Sequence, residues 1–317
     1  MKTKEPIDYV SGIKKLKKEK NAIILAHYYQ TGDIQDIADF VGDSLALSQK
    51  AASNDADIIL FAGVRFMAET AKILSPEKKV LLPDMNAGCS LADSCKTEDF
   101  KEFLDENPGR TVVTYVNTNI DIKVLSDIIC TSSNAVQIIE SLPADERIIF
   151  APDRNLGNYI LNKTGRDIKV WNGACHVHEE FSLEAIIRLK EENKGAKVIV
   201  HPECELPVRM IGDFIGSTSA LLQFTKKDNS KSYIVATEPG IIHQMIKANP
   251  SKNYISVPPR DSTCACSECS FMKLITMEKI YKCLRDDKPE IKIDPGILKK
   301  ARKPIIRMME ISEKFGL

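Results

Sequence analysis

One pattern recurs three times along this chain of 317 residues, each time in the same register. Each copy begins with a polar residue that closes an apolar run, and an aspartate follows 12 positions later. A hydroxyl residue stands 17 positions after the polar residue. The copies read His27, Asp39 and Ser44, then Tyr115, Asp127 and Ser132, then His201, Asp213 and Thr218. Self-similarity at a fixed spacing indicates a repeated structural unit.

A cysteine follows each copy of this pattern. Cys89 and Cys175 follow the first two copies, and a group of cysteines ending at Cys269 follows the third. Cysteine binds metal as its thiolate. A unit that supplies one thiolate, repeated three times, predicts a three-cysteine metal site on a pseudo-threefold axis.

Helices and strands alternate after each copy. A helical segment follows the hydroxyl residue, and then come a second strand, a second helix and a third strand before the cysteine. The second strands read DIILFAG, RIIFAPD and SYIVATE, and the third KKVLLPD, IKVWNGAC and NYISVPP. Apolar runs this continuous are typical of parallel strands buried on both faces. We expect an α/β fold of three pseudo-threefold-related, three-layer α/β/α domains, with small parallel sheets around a central cavity.

The spacing of the repeat predicts the domain boundaries. His27 and Tyr115 are 88 residues apart, and Tyr115 and His201 are 86 apart, as are Cys89 and Cys175. We expect a first domain over 1–88, a second over 89–175 and a third over 176–269. The segment 270–317 is helical in pattern and is expected to pack back on the first domain and complete it.

The charge balance and the hydropathy exclude several classes of protein. The 44 basic and 44 acidic residues cancel, so no overall field favours nucleic acid or an anionic membrane. No apolar run reaches the roughly 18 residues of a membrane span. The start, MKTKEPIDYVSGIKKLKKEK, lacks the apolar core of a secretory signal. We expect a cytoplasmic protein that binds neither nucleic acid nor membrane.

The nine cysteines do not suggest a secreted disulfide scaffold, because their number is odd and their spacing irregular. In a reducing compartment, symmetry-related cysteines more often bind metal or carry redox chemistry. Cys130 and Cys283 lie in apolar or helical patterns, and we expect them to be buried and unreactive.

The polar residues at the first strand of each repeat are candidate site residues. Ligands of parallel α/β sheets bind outside the carboxyl ends of the strands, and residues two positions apart share one side of an extended chain. The pairs are His27 with Tyr29, Tyr115 with Asn117, and His201 with Glu203. A single histidine at a strand end is more often structural, but recurrence in register favours one shared cavity of acid, base and hydrogen-bonding groups.

The hydroxyl residues predict a second ring around that cavity. Ser44, Ser132 and Thr218 follow short apolar stretches and precede helices, so they stand at or near helix N-termini. The free N–H groups and the dipole of a helix N-terminus favour anions. Capping alone explains any one of them, whereas three in register favour a substrate with several carboxylates or a phosphate.

The three cysteines are too far apart in sequence for a compact zinc finger. A cubane iron–sulfur cluster is normally held by four thiolates, so three would leave one iron open to substrate. An open iron acts as a Lewis acid that polarises a carbonyl or assists the loss of hydroxide. The pattern favours dehydration or condensation of a polar acid over electron transfer.

Several motifs together resemble those of the quinolinate synthase family. They run from about residue 20 to 285 and read AHYYQ, GDSLALSQKAA, FAGVRFMAETAKIL, DMNAGCSLAD, YVNT, TSSNA, APDRNLG, HPEC, GSTSAL, ATEPGI and a final C-x-x-M-K. The resemblance implies a [4Fe–4S] cluster with three cysteine ligands at the centre of three α/β/α domains. It also implies condensation of iminoaspartate with dihydroxyacetone phosphate to quinolinate, a precursor of NAD, with loss of phosphate and two waters. An aspartate-oxidising enzyme would supply the iminoaspartate.

The resemblance implies roles for individual residues. Cys89, Cys175 and Cys269 match the cluster ligands, and it is this likeness that favours Cys269 over Cys264 and Cys266. Tyr29, Tyr115, His178 and Glu203 match catalytic positions. The positions implied to bind substrate are His27, Ser44, Tyr115, Asn117, Ser132, His201, Glu203, Ser217 and Thr218.

The last cysteine motif departs from the family pattern. Many bacterial relatives have C-x-x-C-x-x-C, whereas this chain has Thr263, Cys266 and Cys269, with Cys264 out of register. Met272 and Lys273 still follow Cys269, so its assignment as a ligand stands. A redox switch between the first two cysteines of the motif lacks one partner. Cys95 and Cys204 are interpreted as non-ligands.

The sequence leaves three alternative functions open. Another [4Fe–4S] hydro-lyase would act on a single hydroxy acid and would need no triose phosphate. An iron–sulfur sensor would need a fully ligated cluster and a partner-binding surface. A structural zinc protein would be built on Cys264, Cys266 and Cys269.

Overall fold

The computed structural model describes residues 8–260 and 267–317. Its twelve named strands form three four-stranded sheets, and all their pairings are parallel. The first sheet holds β1 (Ala22–His27), β2 (Phe40–Gly42), β3 (Ile58–Ala62) and β4 (Lys79–Leu81). The second holds β5 (Thr111–Tyr115), β6 (Ile128–Cys130), β7 (Ile148–Ala151) and β8 (Ile168–Val170). The third holds β9 (Lys197–Val200), β10 (Phe214–Ile215), β11 (Ser232–Ala236) and β12 (Asn253–Ser256).

The strand order is the same in all three sheets: second, first, third, fourth. This order confirms the predicted α/β class. Each sheet has one more strand than the sequence pattern indicated, because the short apolar stretch before the hydroxyl residue forms an edge strand. These edge strands are two or three residues long, too short to show a period of their own.

The repeated aspartates explain how the short edge strands are attached. Asp39, Asp127 and Asp213 each accept a hydrogen bond from a backbone N–H of the first strand, at 2.7, 2.8 and 2.8 Å respectively. The backbone N–H of each aspartate donates to the carbonyl of that same strand residue. Each aspartate therefore pairs the first strand with the chain entering the second. The aspartates recur at the same position of each repeat because each makes the same structural contact.

Helices connect the strands and cover the sheets. In the first repeat, α3 (Ser44–Ala52) packs with α4 (Arg65–Leu74), and α1 (Tyr9–Glu19) packs with α15 (Met277–Asp286) of the C-terminal segment. The helices before the second sheet are α1 (Tyr9–Glu19), α2 (Gly32–Ile37), α3 (Ser44–Ala52), α4 (Arg65–Leu74), α5 (Ser90–Asp93) and α6 (Thr97–Glu106). Those of the second and third repeats are α7 (Ile120–Val124), α8 (Ala135–Glu140), α9 (Arg154–Thr164), α10 (His176–Glu179), α11 (Leu183–Glu192), α12 (Leu206–Met210), α13 (Thr218–Lys227) and α14 (Ile241–Ala248). The C-terminal segment forms a 3₁₀ turn (Met272–Leu274), α15 (Met277–Asp286) and α16 (Pro295–Lys314).

The C-terminal segment contacts the first two repeats. Near its middle, Glu290 forms an isolated antiparallel bridge with Leu81, at the end of β4. Helix α16 packs against α4 of the first repeat and against α7, α8 and β6 of the second. One hydrophobic core accordingly runs through both repeats and α16, whereas the third sheet has clusters of its own. The boundaries at 88, 175 and 269 stay a prediction.

Two of the cysteine predictions are settled by packing. Cys130 in β6 and Cys283 in α15 are buried in the main core, as expected. None of the helices within residues 8–260 and 267–317 is long and apolar enough to cross a membrane.

Candidate active site

One cavity is lined by residues from all three repeats and from the C-terminal segment. It lies at the carboxyl ends of β1, β5 and β9, where the strand-end pairs were expected. Of the residues proposed for the site, the cavity is lined by His27, Tyr29, Ser44, Cys89, Tyr115, Asn117, Ser132, Cys175, His178, His201, Glu203, Thr218 and Cys269. Ser217 is buried beside the wall, where its hydroxyl contacts that of Ser133 at 2.8 Å.

The strand-end histidines of the first and third repeats have the same local geometry. Nδ1 of His27 accepts the backbone N–H of Tyr29 at 3.2 Å, and Nδ1 of His201 accepts that of Glu203 at 3.4 Å. Burial lowers the pKa of His27 to about 4 and that of His201 to about 3. Both rings are therefore neutral at pH 7, and the proton stays on Nε2. Each offers a neutral N–H donor.

Glu203 is a fully buried carboxylate in the third repeat. Tyr115 Oη donates to its Oε1 at 2.5 Å, and His178 Nδ1 lies 3.1 Å from its Oε2. Burial alone would raise the pKa of Glu203, but His178 and the hydrogen bond from Tyr115 outweigh it and lower the pKa. Glu203 is thus ionised at neutral pH and able to accept a proton.

Tyr29 and His178 meet at a residue that the sequence analysis missed. The hydroxyl of Thr237 lies 3.0 Å from Tyr29 Oη and 3.0 Å from His178 Nε2. Tyr29 Oη also contacts Thr218 Oγ1 at 3.1 Å. Thr237 directly follows β11, so the strand-end argument would have found it if applied to the second long strand of each repeat.

The hydroxyl ring lies at the helix N-termini, with different capping residues. Ser44 and Thr218 are the first residues of α3 and α13, and the side chains of Asp43 and Ser217 cap these helices. Ser132 stands two positions before Asn134, which precedes α8. The Ser133 hydroxyl lies 2.6 Å from Asp43 Oδ2 and 2.8 Å from Ser217 Oγ. The three repeats are therefore joined by hydrogen bonds at this ring.

Two of the three cysteines donate a backbone N–H hydrogen bond to a buried carboxylate. Asp153 accepts the N–H of Cys175 at 2.9 Å, and Glu238 accepts that of Cys269 at 3.4 Å. Lys273 pairs with Glu238 at 2.8 Å and donates to the Tyr29 carbonyl at 2.8 Å. Like Thr237, Glu238 follows β11. The loop that carries Cys269 is thereby tied to the first and third repeats.

The thiols of Cys89, Cys175 and Cys269 are free and partly buried. Burial raises the pKa of all three, that of Cys89 to about 12, and neighbouring thiols add to the effect at Cys89 and Cys175. Such thiols ionise only beside a compensating cation, and a metal centre supplies one. The donor set therefore fits a metal group.

The spacing of the sulfurs argues against a single ion held by all three. Thiolates around one zinc ion stand about 3.8 Å apart, given a Zn–S bond of about 2.3 Å. Among the described residues, the ligand atoms that lie within 4.8 Å of one another are those of Cys175, His178 and Glu203. That group could hold one ion, but it includes only one of the cysteines. The three cysteine sulfurs do not form such a compact group among the described residues.

The other cysteines do not compete as ligands from within the described residues. Cys95 lies in a core cluster with Phe100. Cys204 is fully buried, and its thiol donates a weak hydrogen bond to the carbonyl of Ala236 in β11. Neither lines the cavity. Cys264 and Cys266, on which the zinc alternative depends, lie outside the described residues.

The described cavity wall holds carboxylates but no lysine or arginine. The carboxylates in the lining are those of Asp43, Glu203 and Glu238. Lys273 forms an ion pair with Glu238 but does not line the cavity. Neutral histidines, hydroxyls and helix N-termini must therefore hold any anionic substrate, together with a bound metal group.

The sequence matches known proteins over nearly its whole length. The profile of the quinolinate synthetase A protein family matches residues 11–310. A quinolinate synthase of Microcystis aeruginosa is 58% identical over 307 residues, which cover 97% of this chain and 96% of the relative. Quinolinate synthases of Synechocystis and Synechococcus are 56% and 55% identical, with the same coverage. The chain belongs to the quinolinate synthase family.

Proposed function

We propose that this protein condenses iminoaspartate with dihydroxyacetone phosphate to give quinolinate, with loss of phosphate and two waters. The observation that carries the proposal is the convergence of three cysteines and three strand-end pairs, one of each per repeat, on one cavity. The names of the relatives identify the product, and the cavity chemistry suits substrates with carboxylate and phosphate groups.

Cys89, Cys175 and Cys269 would hold a [4Fe–4S] cluster. No fourth cysteine lines the cavity within the described residues, so one iron would lack a thiolate ligand. When bound, the cluster would supply a Lewis-acidic iron that polarises a substrate oxygen and stabilises departing hydroxide.

The anionic ends of the substrates would be bound by neutral donors. The Nε2–H groups of His27 and His201 point away from the backbone bonds at Nδ1. Ser44 and Thr218 add hydroxyls at helix N-termini, where the dipole favours negative charge. Asn117 has a side-chain oxygen that is buried without a hydrogen-bond partner, which suits a donor group on the substrate.

The proton transfers would use Glu203, Tyr29, Tyr115 and His178. Glu203 is ionised and accepts a proton from substrate carbon. Burial and the nearby Glu203 charge raise the pKa of Tyr29 well above its usual value, so this phenol stays protonated and acts as an acid. Tyr115 keeps Glu203 oriented through its 2.5 Å hydrogen bond. The acid and the base are thus separate residues, which suits the loss of water: one takes a proton from carbon and the other gives a proton to the leaving hydroxide.

The substrate chemistry implies a supplier of iminoaspartate. Imines hydrolyse readily in water, so an enzyme that oxidises aspartate must act in the same compartment. The seven described cysteines are free, which suits a reducing compartment, and we propose the cytoplasm.

Anaerobic reconstitution with iron and sulfide tests the proposal. We expect a cubane absorption, an electron paramagnetic resonance signal after one-electron reduction of the cluster, and quinolinate only when both substrates are present. Cys95→Ala is the matched control, because Cys95 is buried away from the cavity, whereas Cys89→Ala should lose the cluster. Absence of both the cluster signal and quinolinate would contradict the proposal.

The same experiment separates the alternatives. Turnover of a hydroxy acid alone would indicate the hydro-lyase. A cluster without turnover of either kind would indicate a sensor. Zinc in place of iron in the purified protein would indicate a structural zinc site.

A further inference from the structure

Lys123 in α7 is a charged side chain that is completely buried, and it has no role in the assignments above. Its ammonium donates hydrogen bonds to the carbonyl of Val116, at 2.9 Å, and to the carbonyl of Thr118. It also lies 3.4 Å from the Thr118 hydroxyl. A lysine ammonium has three donors and no acceptor. The turn between β5 and α7 can therefore occupy all three donors of Lys123.

The charge of Lys123 is held by this turn rather than by a carboxylate. Burial lowers the pKa of Lys123 to about 8, and the charge of nearby Glu69 limits the effect. However, Glu69 Oε1 pairs with Arg65 Nε at 2.9 Å, and its Oε2 is buried without a hydrogen-bond partner among the described residues. The ring of Phe66, on the same helix as Glu69, lies 5.5 Å from the ammonium. A buried ammonium needs hydrogen bonds, and here the backbone of the turn accepts them.

Asn117 lies between the two carbonyls that bind Lys123. The turn is tight, because the Thr118 N–H donates to the Val116 carbonyl at 2.8 Å and the Thr118 hydroxyl donates to the Tyr115 carbonyl at 3.1 Å. The side chain of Asn117 lines the cavity, and its oxygen is buried without a hydrogen-bond partner among the described residues. The direction of that oxygen therefore depends on the backbone of the turn.

We propose that Lys123 is a positioning residue, whose ammonium fixes the turn over 116–118 so that the side-chain oxygen of Asn117 faces the substrate. This inference rests on the proposed function, in which Asn117 accepts a donor group of the substrate. Lys123 does not line the cavity, so it acts on the substrate only through the turn. Without the ammonium, buried carbonyls of the turn would lose their donors, and the turn would rearrange to satisfy them.

A double-mutant cycle tests this connection. Lys123→Met removes the ammonium and keeps an unbranched side chain of similar length. We expect it to raise KM about tenfold, as for the loss of one hydrogen bond, for the same substrate whose KM rises in Asn117→Ala. The value of kcat should change less than about threefold, because the lost contact is one of binding. In the double variant, KM should exceed that of Asn117→Ala by less than about twofold, because the two residues act as one unit.

Lys252→Met is the matched control. Lys252 also donates to two backbone carbonyls, those of Thr225 and Asp228 at 2.5 and 2.6 Å, and its ammonium lies 5.4 Å from the ring of Tyr233. None of these residues lines the cavity, so both KM values should stay as in the wild type. Lys123→Gln retains a neutral donor on a side chain one bond shorter. It should raise the same KM by less than Lys123→Met does, and it serves in the cycle if Lys123→Met does not fold.

A second measurement reads the position of Asn117 without turnover. In apoprotein labelled with ¹⁵N-asparagine, the side-chain amide signal of Asn117 is identified by its loss in Asn117→Ala. We expect this signal to shift in Lys123→Met and not in Lys252→Met. Circular dichroism checks that each variant is folded.

The outcomes are distinct. Wild-type KM values in Lys123→Met, or an Asn117 signal that does not move, would overturn the proposal. So would a fall in kcat alone, or additive effects of the two substitutions, because Lys123 would then act independently of Asn117. A wild-type protein that makes no quinolinate would instead overturn the proposed function, and the Asn117 signal would still report whether Lys123 positions the turn.

Discussion

The strand-end histidines His27 and His201 are neutral because they are buried away from water and their Nδ1 atoms accept backbone N–H hydrogen bonds. This neutrality has a cost at low pH. The unfolded chain binds a proton on each histidine near pH 6.5, whereas folded His27 binds one only near pH 4. Stability must therefore fall as the pH drops through this window.

His27→Gln should reduce that acid sensitivity. The difference in pKa corresponds to about 3 kcal/mol, most of which is lost between pH 7 and pH 4.5. Urea unfolding of the apoprotein at both pH values should show a smaller loss for the variant, by about 2 kcal/mol. His243→Gln is the control, since His243 lies at the surface beside Asp36, and it should not flatten the profile. An unchanged pH dependence in His27→Gln would contradict the assignment.

Glu203→Gln should strongly reduce turnover and keep the proposed metal group. The amide preserves the shape and can still accept the Tyr115 hydrogen bond, but it cannot take up a proton. We expect kcat to fall by about 100-fold or more, with iron content equal to wild type. Glu205→Gln is the control, because Glu205 pairs with Arg260 away from the cavity. A fully active Glu203→Gln would show that another group is the base.

At the scale of the elements, the repeated aspartates decide where the short strands lie. Asp127 binds the N–H of Val112 through its carboxylate and the carbonyl of Val112 through its own N–H. Without the carboxylate, the Val112 N–H would be buried and unpaired, because β5 is covered by β6 on this edge. This arrangement is the same in each sheet.

Asp127→Ala should therefore destabilise the fold by about 1–3 kcal/mol, the cost of leaving a buried donor unsatisfied. Asp105→Ala, on the exposed side of α6, should change stability by less than about 0.5 kcal/mol. Chemical unfolding followed by circular dichroism measures both. Equal stabilities for the two variants would show that the aspartate contributes no pairing energy.

The sequence alone predicts part of this arrangement. Period and spacing are enough for the three parallel sheets, because each long strand is a continuous apolar run. The edge strands β2, β6 and β10 could not be foreseen, since two or three residues show no pattern and depend on the aspartate. Thr237 and Glu238 were missed for another reason: the strand-end argument was applied only to the first strand of each repeat, whereas these two residues follow β11.

At the scale of the whole molecule, α16 connects the first two repeats. Its buried side chains enter the shared core, while Ser312 receives a hydrogen bond from Asn134 beside the hydroxyl ring. The sequence indicated a C-terminal helix, but not that it would contact the second repeat. Contacts between distant segments follow from shape, which local patterns do not report.

Ile305→Ala tests this connection. Ile305 is fully buried, so its truncation should cost about 2–5 kcal/mol. Ile297→Ala lies on the same helix, where Ile297 is 37% exposed, and should cost much less. Thermal unfolding measures both variants, and iron binding by Ile305→Ala should weaken as the first two repeats loosen. Similar melting temperatures for the two variants would exclude a structural role for this face of α16.

The cavity wall runs in sequence from His27 to Met272, and this has a consequence for biosynthesis. A growing polypeptide on the ribosome exposes the first two cysteines long before the third. Until Cys269 emerges, the proposed metal group would have at most two of its three thiol ligands. Its insertion would therefore wait until synthesis is almost finished, and a prematurely released chain would carry the first two thiols without the third, however well its first sheets fold.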